Sequence, residues 1–373
     1  MPSMHLVINA TEVGRRRGGN EAYITGLVEG LAALHPPIRV SLLTCDWGRP
    51  LDLPPAFQQV NLGPYRRLHF FLWQQTIALY QLNADWYLST FFLPPITPCQ
   101  GAVLVHDLSF RAHPEYFPAI IAFYMRLLTG LAIRRAERVV VLSEFTLREL
   151  ARFHPTAVEK AVVVYPGVDR IFRPEQGPGD KEALRSYGLT PGYVLTIGNI
   201  HPRKNLSRLL DAYVSLKARR KSVPAMVWGG LQRWESGDLL QRARSAGVVL
   251  PGFIAQEDLP ALYRQAEMLV YPSLYEGFGL PPVEAMACGT PVITSNTTSL
   301  PEVVGEAALT VDPTNSEEIA AAMAQLLDDM SLRHCLQQAG IERAGEFTWR
   351  RTAQHLLASL GCLKSPSIER TAG

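Results

Sequence analysis

Residues 275–295 read YEGFGLPPVEAMACGTPVITS, and loop, helix and strand signals follow one another within it. Two acids eight positions apart, Glu276 and Glu284, flank Gly277, Gly279, Pro281 and Pro282, which break any helix running through both. Prolines suit a first helical turn, so Pro281 and Pro282 open a helix that Val-Glu-Ala-Met-Ala-Cys continues and Gly289 stops. Thr290 to Ser295, TPVITS, then reads as a short buried strand. Glu276 therefore precedes a short helix and Glu284 lies on it. The amides of Gly277, Phe278, Gly279 and Leu280 fall at the helix N-terminal end, where anions and phosphates are attracted. The local pattern is met equally by a loop with two solvated acids and by a phosphate-bearing ligand whose hydroxyls are gripped on either side.

Outward from this unit, short β-branched runs alternate with helical stretches along almost the whole chain, the pattern of parallel sheets covered on both faces. The expected strands of the first half are 5–10, 39–45, 85–90, 102–107, 138–143 and 161–167. Those of the second half are 193–199, 225–230, 248–253, 267–273, 290–295 and 307–313. At 373 residues the chain exceeds one hydrophobic core, so two α/β, doubly wound, Rossmann-like domains are expected. The run from Arg173 to Asp180, RPEQGPGD, is dense in Pro, Gly and charge and reads as the linker. Ligands of such sheets bind beyond the carboxyl ends of strands, so two such domains imply a cleft lined by those ends.

Composition excludes several classes. The apolar fraction is 47% and the charged fraction 19%, ordinary for a globular protein. A net charge of +2 gives no support for nucleic acid as a partner. Five dispersed cysteines without a C-x-x-C pair fit reduced thiols and a cytoplasmic setting, and indicate no metal site. The N-terminus MPSMHLVINA reads as a first strand, not a signal peptide. Residues 118–132, PAIIAFYMRLLTGLA, are too few for a membrane span. They fit a packed helix of an α/β domain; with the nearby arginines they also allow peripheral contact with the inner face of a membrane.

Three further groups stand just after expected strands. Gly18 and Gly19 follow Arg15-Arg16-Arg17 and open a helix to about Leu34, letting a phosphate approach backbone N–H groups or simply making a tight turn. His106 and Asp107 end the 102–107 run, a structural or a site histidine. Arg203 and Lys204, in PRKN, precede a helix from about Leu206 to Arg220 and could neutralise a diphosphate or be a solvated helix start. No G-x-G-x-x-G is present to support a nicotinamide site.

Together these pieces resemble the retaining glycosyltransferases of family 4, with their GT-B architecture. The resemblance rests on GGNE (18–21), HDLS (106–109), SEF (143–145), PGVD (166–169), PRKN (202–205) and the E-x7-E segment from Glu276 to Glu284. It implies an N-terminal acceptor domain over 1–173, a nucleotide-sugar domain over 181–346, and a crossover helix in 347–373 returning to the first domain. It further implies that Glu284 binds the donor ribose, that Glu276 binds the donor sugar, and that Phe278, Gly279 and Leu280 offer amides to diphosphate or ribose. Lys204 and Arg203 would balance the phosphate charge, Gly19 would bring backbone against it, His106 would touch the sugar, and the base would lie by Phe253. Many members place an arginine just after the glycine matching Gly198; here the residue is Asn199, so either Arg203 substitutes or the site has one cation fewer.

The resemblance implies no metal and no cofactor. The co-substrate would be GDP-mannose, with UDP-glucose or another UDP-sugar as alternative, and the acceptor a glycan or lipid-linked glycan of the cell surface. The reaction would retain configuration by front-face attack, with Glu276, His106 and Lys204 at the reacting centre. Rival readings are a phosphorylase or epimerase of the same architecture and a non-enzymatic sugar-nucleotide sensor or scaffold.

Overall fold

The apolar β-branched runs form strands buried from both faces, as parallel sheets require. The computed structural model describes residues 4–14, 19–46, 57–231 and 237–363. The chain divides into two units, one of residues 1–167 and 348–373, the other of residues 168–347.

The first unit holds a seven-stranded, all-parallel sheet of β1 (His5–Asn9), β2 (Arg39–Thr44), β3 (Phe57–Asn61), β4 (Trp86–Thr90), β5 (Gln100–Val105), β6 (Arg138–Val141) and β7 (Ala161–Val163). Its order is β3-β2-β1-β4-β5-β6-β7, so the winding reverses between β1 and β4. Strand β3, FQQVN, went unforeseen: it lies at the sheet edge, half-exposed, and its polar residues carry no buried-strand signal.

The Trp349–Ser359 helix belongs to this unit and packs on the Gly19–Leu34 helix. Thr348 caps it by accepting from the Arg351 N–H, and Thr352 Oγ1 donates to the Tyr165 carbonyl at 2.7 Å. Close approach is possible because Gly26 and Gly30 face Trp349: a Cβ on Gly30 would lie 2.1 Å from the Trp349 carbonyl oxygen.

The second unit holds a six-stranded parallel sheet of β8 (Tyr193–Ile197), β9 (Met226–Gly229), β10 (Val249–Gly252), β11 (Ala266–Tyr271), β12 (Val292–Ser295) and β13 (Leu309–Val311). The order β10-β9-β8-β11-β12-β13 reverses between β8 and β11, which places a crevice outside their carboxyl ends. The Arg173–Asp180 run lies within this unit. Arg264 draws it in with a buried two-point ion pair to Asp180, at 2.6 and 2.8 Å, and a hydrogen bond to the Arg173 carbonyl.

Candidate functional site

At the β8 end the backbone turns through Gly198, whose φ of +139° favours glycine. A Cβ there would stand 3.3 Å from Lys204 Cε, so the bare backbone also gives the lysine stem room. The Pro202–Lys204 turn follows, with the His201 ring accepting from the Arg203 N–H. Asn205 closes it in the left-handed region and donates its amide to the carbonyls of Pro272 and Pro313, at 3.0 and 2.6 Å. The Leu274 N–H donates to the Arg203 carbonyl at 2.8 Å. The PRKN turn is thereby fastened to the loop leaving β11, which bears Glu276.

Glu276 is 6% exposed and meets both cations. Lys204 Nζ donates to its Oε1 at 2.6 Å, Arg203 donates to its Oε2 at 3.1 Å, and the Tyr271 hydroxyl donates to Oε1 at 2.9 Å. Lys204 also contacts the Tyr271 hydroxyl and stands 4.5 Å from that ring's centroid. Burial alone would push the Glu276 carboxyl up; Arg203 and Lys204, with the hydrogen bonds from Lys204 and Tyr271, outweigh it and hold the group down to about 2. Glu276 is therefore a carboxylate at any working pH, and two cations face it at the strand ends.

The next turn runs Gly277-Phe278-Gly279 into the Leu280–Ala287 helix. Gly279 has φ +108°, and a Cβ on it would fall 2.6 Å from Leu300 Cδ2. Ser299, fully buried, donates to the carbonyls of Glu276 and Phe278, which fixes the turn. A helix leaves its first four amides without intrahelical partners. The second and third helical positions are Pro281 and Pro282, which carry no N–H, so Leu280 supplies the one amide of the helix's first three positions.

Glu284 projects from this helix and accepts a hydrogen bond from the buried Tyr263 hydroxyl at 2.9 Å. Burial, with a contribution from Asp169, outweighs that bond and raises its carboxyl to about 7. An acid raised above its unfolded value binds its proton more tightly in the folded state. Its ionisation thus costs folded-state stability, absent below the ordinary glutamate range and fully present once pH passes about 7. Glu284→Gln is expected to raise the melting temperature at pH 8 by relieving about 1–2 kcal/mol, and to leave it unchanged near pH 4. Calorimetric melting of both proteins across this range checks the sign; equal shifts at both ends would refute it.

The remaining candidates fall elsewhere. Phe253 follows Gly252 at the end of β10 and is 40% exposed, unusual for a phenylalanine beside a strand. In the first unit Gly19 begins its helix, with open space where a side chain would go, and Gly18 lies outside the described residues. His106 follows β5, edge-on to Tyr23 at 5.4 Å and beside Phe91 at 5.6 Å. Its Nε2 is buried and has no hydrogen-bond partner among the described residues. Burial lowers its pKa to about 4, against a smaller opposing effect of Asp107, so the ring is neutral near pH 7. Asp107 caps the next turn, accepting from the Ser109 N–H and hydroxyl.

The structure thus gathers Arg203, Lys204, Glu276, Gly277, Phe278, Gly279, Leu280 and Glu284 at one end of the second sheet. Sequence reasoning missed Tyr271, Ser299 and Tyr263. Tyr271 ends a buried strand and Ser299 sits in a polar loop, so each reads as ordinary core or loop. For Tyr263 the only signal is its helix, which faces the acid-bearing one.

Residues 17–171 match the model described as Glycosyltransferase Family 4, and residues 182–343 that of Glycosyl transferases group 1. The chain is 34% identical over 297 residues to the O-antigen chain mannosyltransferase B of Escherichia coli, covering 78% of this chain and 77% of that protein. It is 29% identical over 287 residues to the serotype-specific mannosyltransferase WbdA of Escherichia coli, covering 74% of this chain and 35% of WbdA. Among solved structures it is similar to the sucrose-phosphate synthase of Thermosynechococcus elongatus, at 21% identity and a TM-score of 0.74, with 95% and 97% of the two chains covered. That last likeness is one of fold.

Proposed function

The chain belongs to the glycosyltransferases of family 4, and from that premise we propose a retaining mannosyltransferase that uses GDP-mannose and extends a cell-surface glycan or lipid-linked glycan. The similarity to an O-antigen mannosyltransferase supports the sugar and the setting. The observation that carries the reaction is the cluster at the ends of β8 and β11: Lys204 and Arg203 hydrogen-bonded to one buried carboxylate, beside a helix N-terminus.

Departure of a nucleoside diphosphate puts new negative charge on the β-phosphate, and the barrier falls where donors are already aimed. Lys204 and Arg203 can each pass a hydrogen bond from the Glu276 oxygens to phosphate oxygens. Arg203 stands beside Lys204 and takes the part that an arginine at Asn199 would play. Amides of Gly277 to Leu280 add fixed dipoles at no reorganisation cost. As the bond from the anomeric carbon to phosphate oxygen breaks, the acceptor hydroxyl attacks the same face. Its proton passes to the departing phosphate.

Glu276 in this scheme holds Lys204 and Arg203 and accepts from sugar hydroxyls. It is not a nucleophile, because a carboxylate tied by three donors attacks poorly. Glu284 accepts from the ribose hydroxyls, Gly19 approaches phosphate, and the neutral His106 presents its unpartnered Nε2 to a sugar hydroxyl. Phe253 packs on the base.

A melting-temperature panel with GDP, UDP, ADP and their sugars tests the donor. At 100 times Kd a bound nucleotide stabilises by about 2.7 kcal/mol, and the GDP compounds are expected to give the largest rise. A larger rise with UDP compounds would assign a UDP-sugar instead, and nucleotide-sugar binding without any release of nucleotide would point to a non-enzymatic sensor.

A further inference from the structure

The carboxylate of Glu284 is held from a neighbouring helix. Part-buried on the Leu280–Ala287 helix, it takes a single hydrogen bond, from the Tyr263 hydroxyl to Oε2 at 2.9 Å. Its other oxygen, Oε1, has no hydrogen-bond partner among the described residues. A carboxylate held by one oxygen presents the other, and the direction is fixed only if the donor itself cannot move.

Tyr263 meets that condition. It is fully buried on the Leu259–Arg264 helix. Its carbonyl accepts from Thr290 Oγ1 at 2.7 Å, and Phe172 packs edge-on to its ring at 5.9 Å. The tyrosine is thus tied at both ends to one segment, its hydroxyl to Glu284 and its carbonyl to Thr290 just beyond the same helix. The adjacent Arg264 is anchored in turn by Asp180. Burial, then the charge of Glu284, hold the Tyr263 hydroxyl well above its ordinary value, so it stays a donor at any working pH.

The other groups facing Glu284 do not favour its charge. Asp169 is itself an acid, and Cys288, at the end of the same helix, is a thiol that burial pushes up to about 12. Tyr271 lies beyond, toward Tyr263. The Met330–Gly345 helix meets this one with Gly340 against Met286 and Ile341 against Gly289, none of them charged. The guanidinium of Arg264 is taken up by Asp180. Among the described residues Tyr263 is therefore the one group that favours the ionised form of Glu284.

We propose that Tyr263 is a positioning residue for the donor: its hydroxyl aims Glu284 Oε1 at the ribose hydroxyls and keeps the group in the form that accepts from them. Resting on the assignment of Glu284 to the ribose, this gives Tyr263 a part in donor binding that it plays through Glu284 and not on the donor itself.

Titration calorimetry of the full chain with GDP, UDP and ADP, with Tyr263→Phe beside wild type, is the test. For the nucleotide that wild type binds best, Tyr263→Phe is expected to weaken binding by about tenfold at pH 7, the size of one hydrogen bond to a charged group. At pH 9, where Glu284 is ionised in both proteins and only its aim is lost, the loss should be no more than about threefold. Comparing the two proteins at each pH cancels the ligand's own titration. The 2′,3′-dideoxy form of that nucleotide should bind both proteins within about twofold, because it lacks the hydroxyls through which the tyrosine acts. Should Tyr263→Phe melt below the assay temperature, Thr290→Val, which unties the tyrosine's carbonyl, takes its place and should weaken the nucleotide but not its dideoxy form. Unchanged affinity would overturn the proposal, and so would an equal loss at both pH values and with the dideoxy nucleotide, the mark of a merely structural tyrosine. Wild type that binds none of the three nucleotides would sink the transferase reading and this proposal together, whereas tight wild-type binding with an indifferent Tyr263→Phe sinks this proposal alone.

Discussion

Lys204→Ala is expected to lower turnover by roughly 10²–10³-fold, the cost of losing one preorganised donor at a developing oxyanion. The fold should survive, because the Glu276 carboxylate keeps Arg203 at 3.1 Å and the Tyr271 hydroxyl at 2.9 Å. Glu276→Ala is a less clean experiment. It strands Lys204, whose side chain is only 12% exposed, without its carboxylate, so stability falls together with activity. Lys204→Arg should not rescue: the guanidinium fork is larger than an ammonium, and the Tyr271 ring stands 4.5 Å from the lysine Nζ. Steady-state turnover with GDP-mannose and a melting curve of the same preparation decide the matter. Turnover near wild type in Lys204→Ala would remove the lysine from the mechanism and leave the phosphate assignment without its main support.

The two-domain winding was legible because buried parallel strands are nearly continuous apolar runs. All twelve expected runs overlap strands; β5 begins two residues and β11 one residue earlier than expected, and the other strands end inside the expected runs. The missed β3 shows the limit of that signal, since a half-exposed edge strand has no need of apolar residues. The residue types of the second-unit site were legible from the Gly/Pro break and from PRKN. What the chain's one-dimensional order hides is that the turn after β8 and the loop after β11 are neighbours, because β8 and β11 pair across the reversal point. Glu276 accordingly looked like a group facing a ligand alone, whereas it is the anchor of two cations. Tyr271 holds this arrangement by a hydrogen bond to an atom five residues away, and Ser299 by hydrogen bonds to two carbonyls more than twenty residues away, which no local pattern records.

Gly30→Val is expected to cost about 4 kcal/mol or more, near the upper end for single substitutions, although it adds only three carbons. The added Cβ would lie 2.1 Å from the Trp349 carbonyl oxygen and 2.5 Å from its carbon, both main-chain atoms that no rotamer change can move aside. Gly26 and Gly167 approach the same residue, with Cβ positions 1.9 Å from the indole Cε2 and 2.1 Å from the Trp349 nitrogen. Three glycines from two segments therefore form one seat, and relief at one contact drives Trp349 into another. Gly345→Ala is the control: nothing lies within 4 Å of its Cβ position, so it should change stability by less than about 1 kcal/mol. Denaturant unfolding followed by tryptophan fluorescence measures both. The consequence reaches His106, whose part in the transfer is the proposal above, because Trp349 packs edge-on to Tyr23 at 5.5 Å and Tyr23 packs edge-on to His106 at 5.4 Å. Unseating the tryptophan removes the support that aims the imidazole, so turnover should fall at temperatures where the Gly30→Val protein is still folded. Wild-type stability in that variant would show that the Trp349–Ser359 helix does not need this seat.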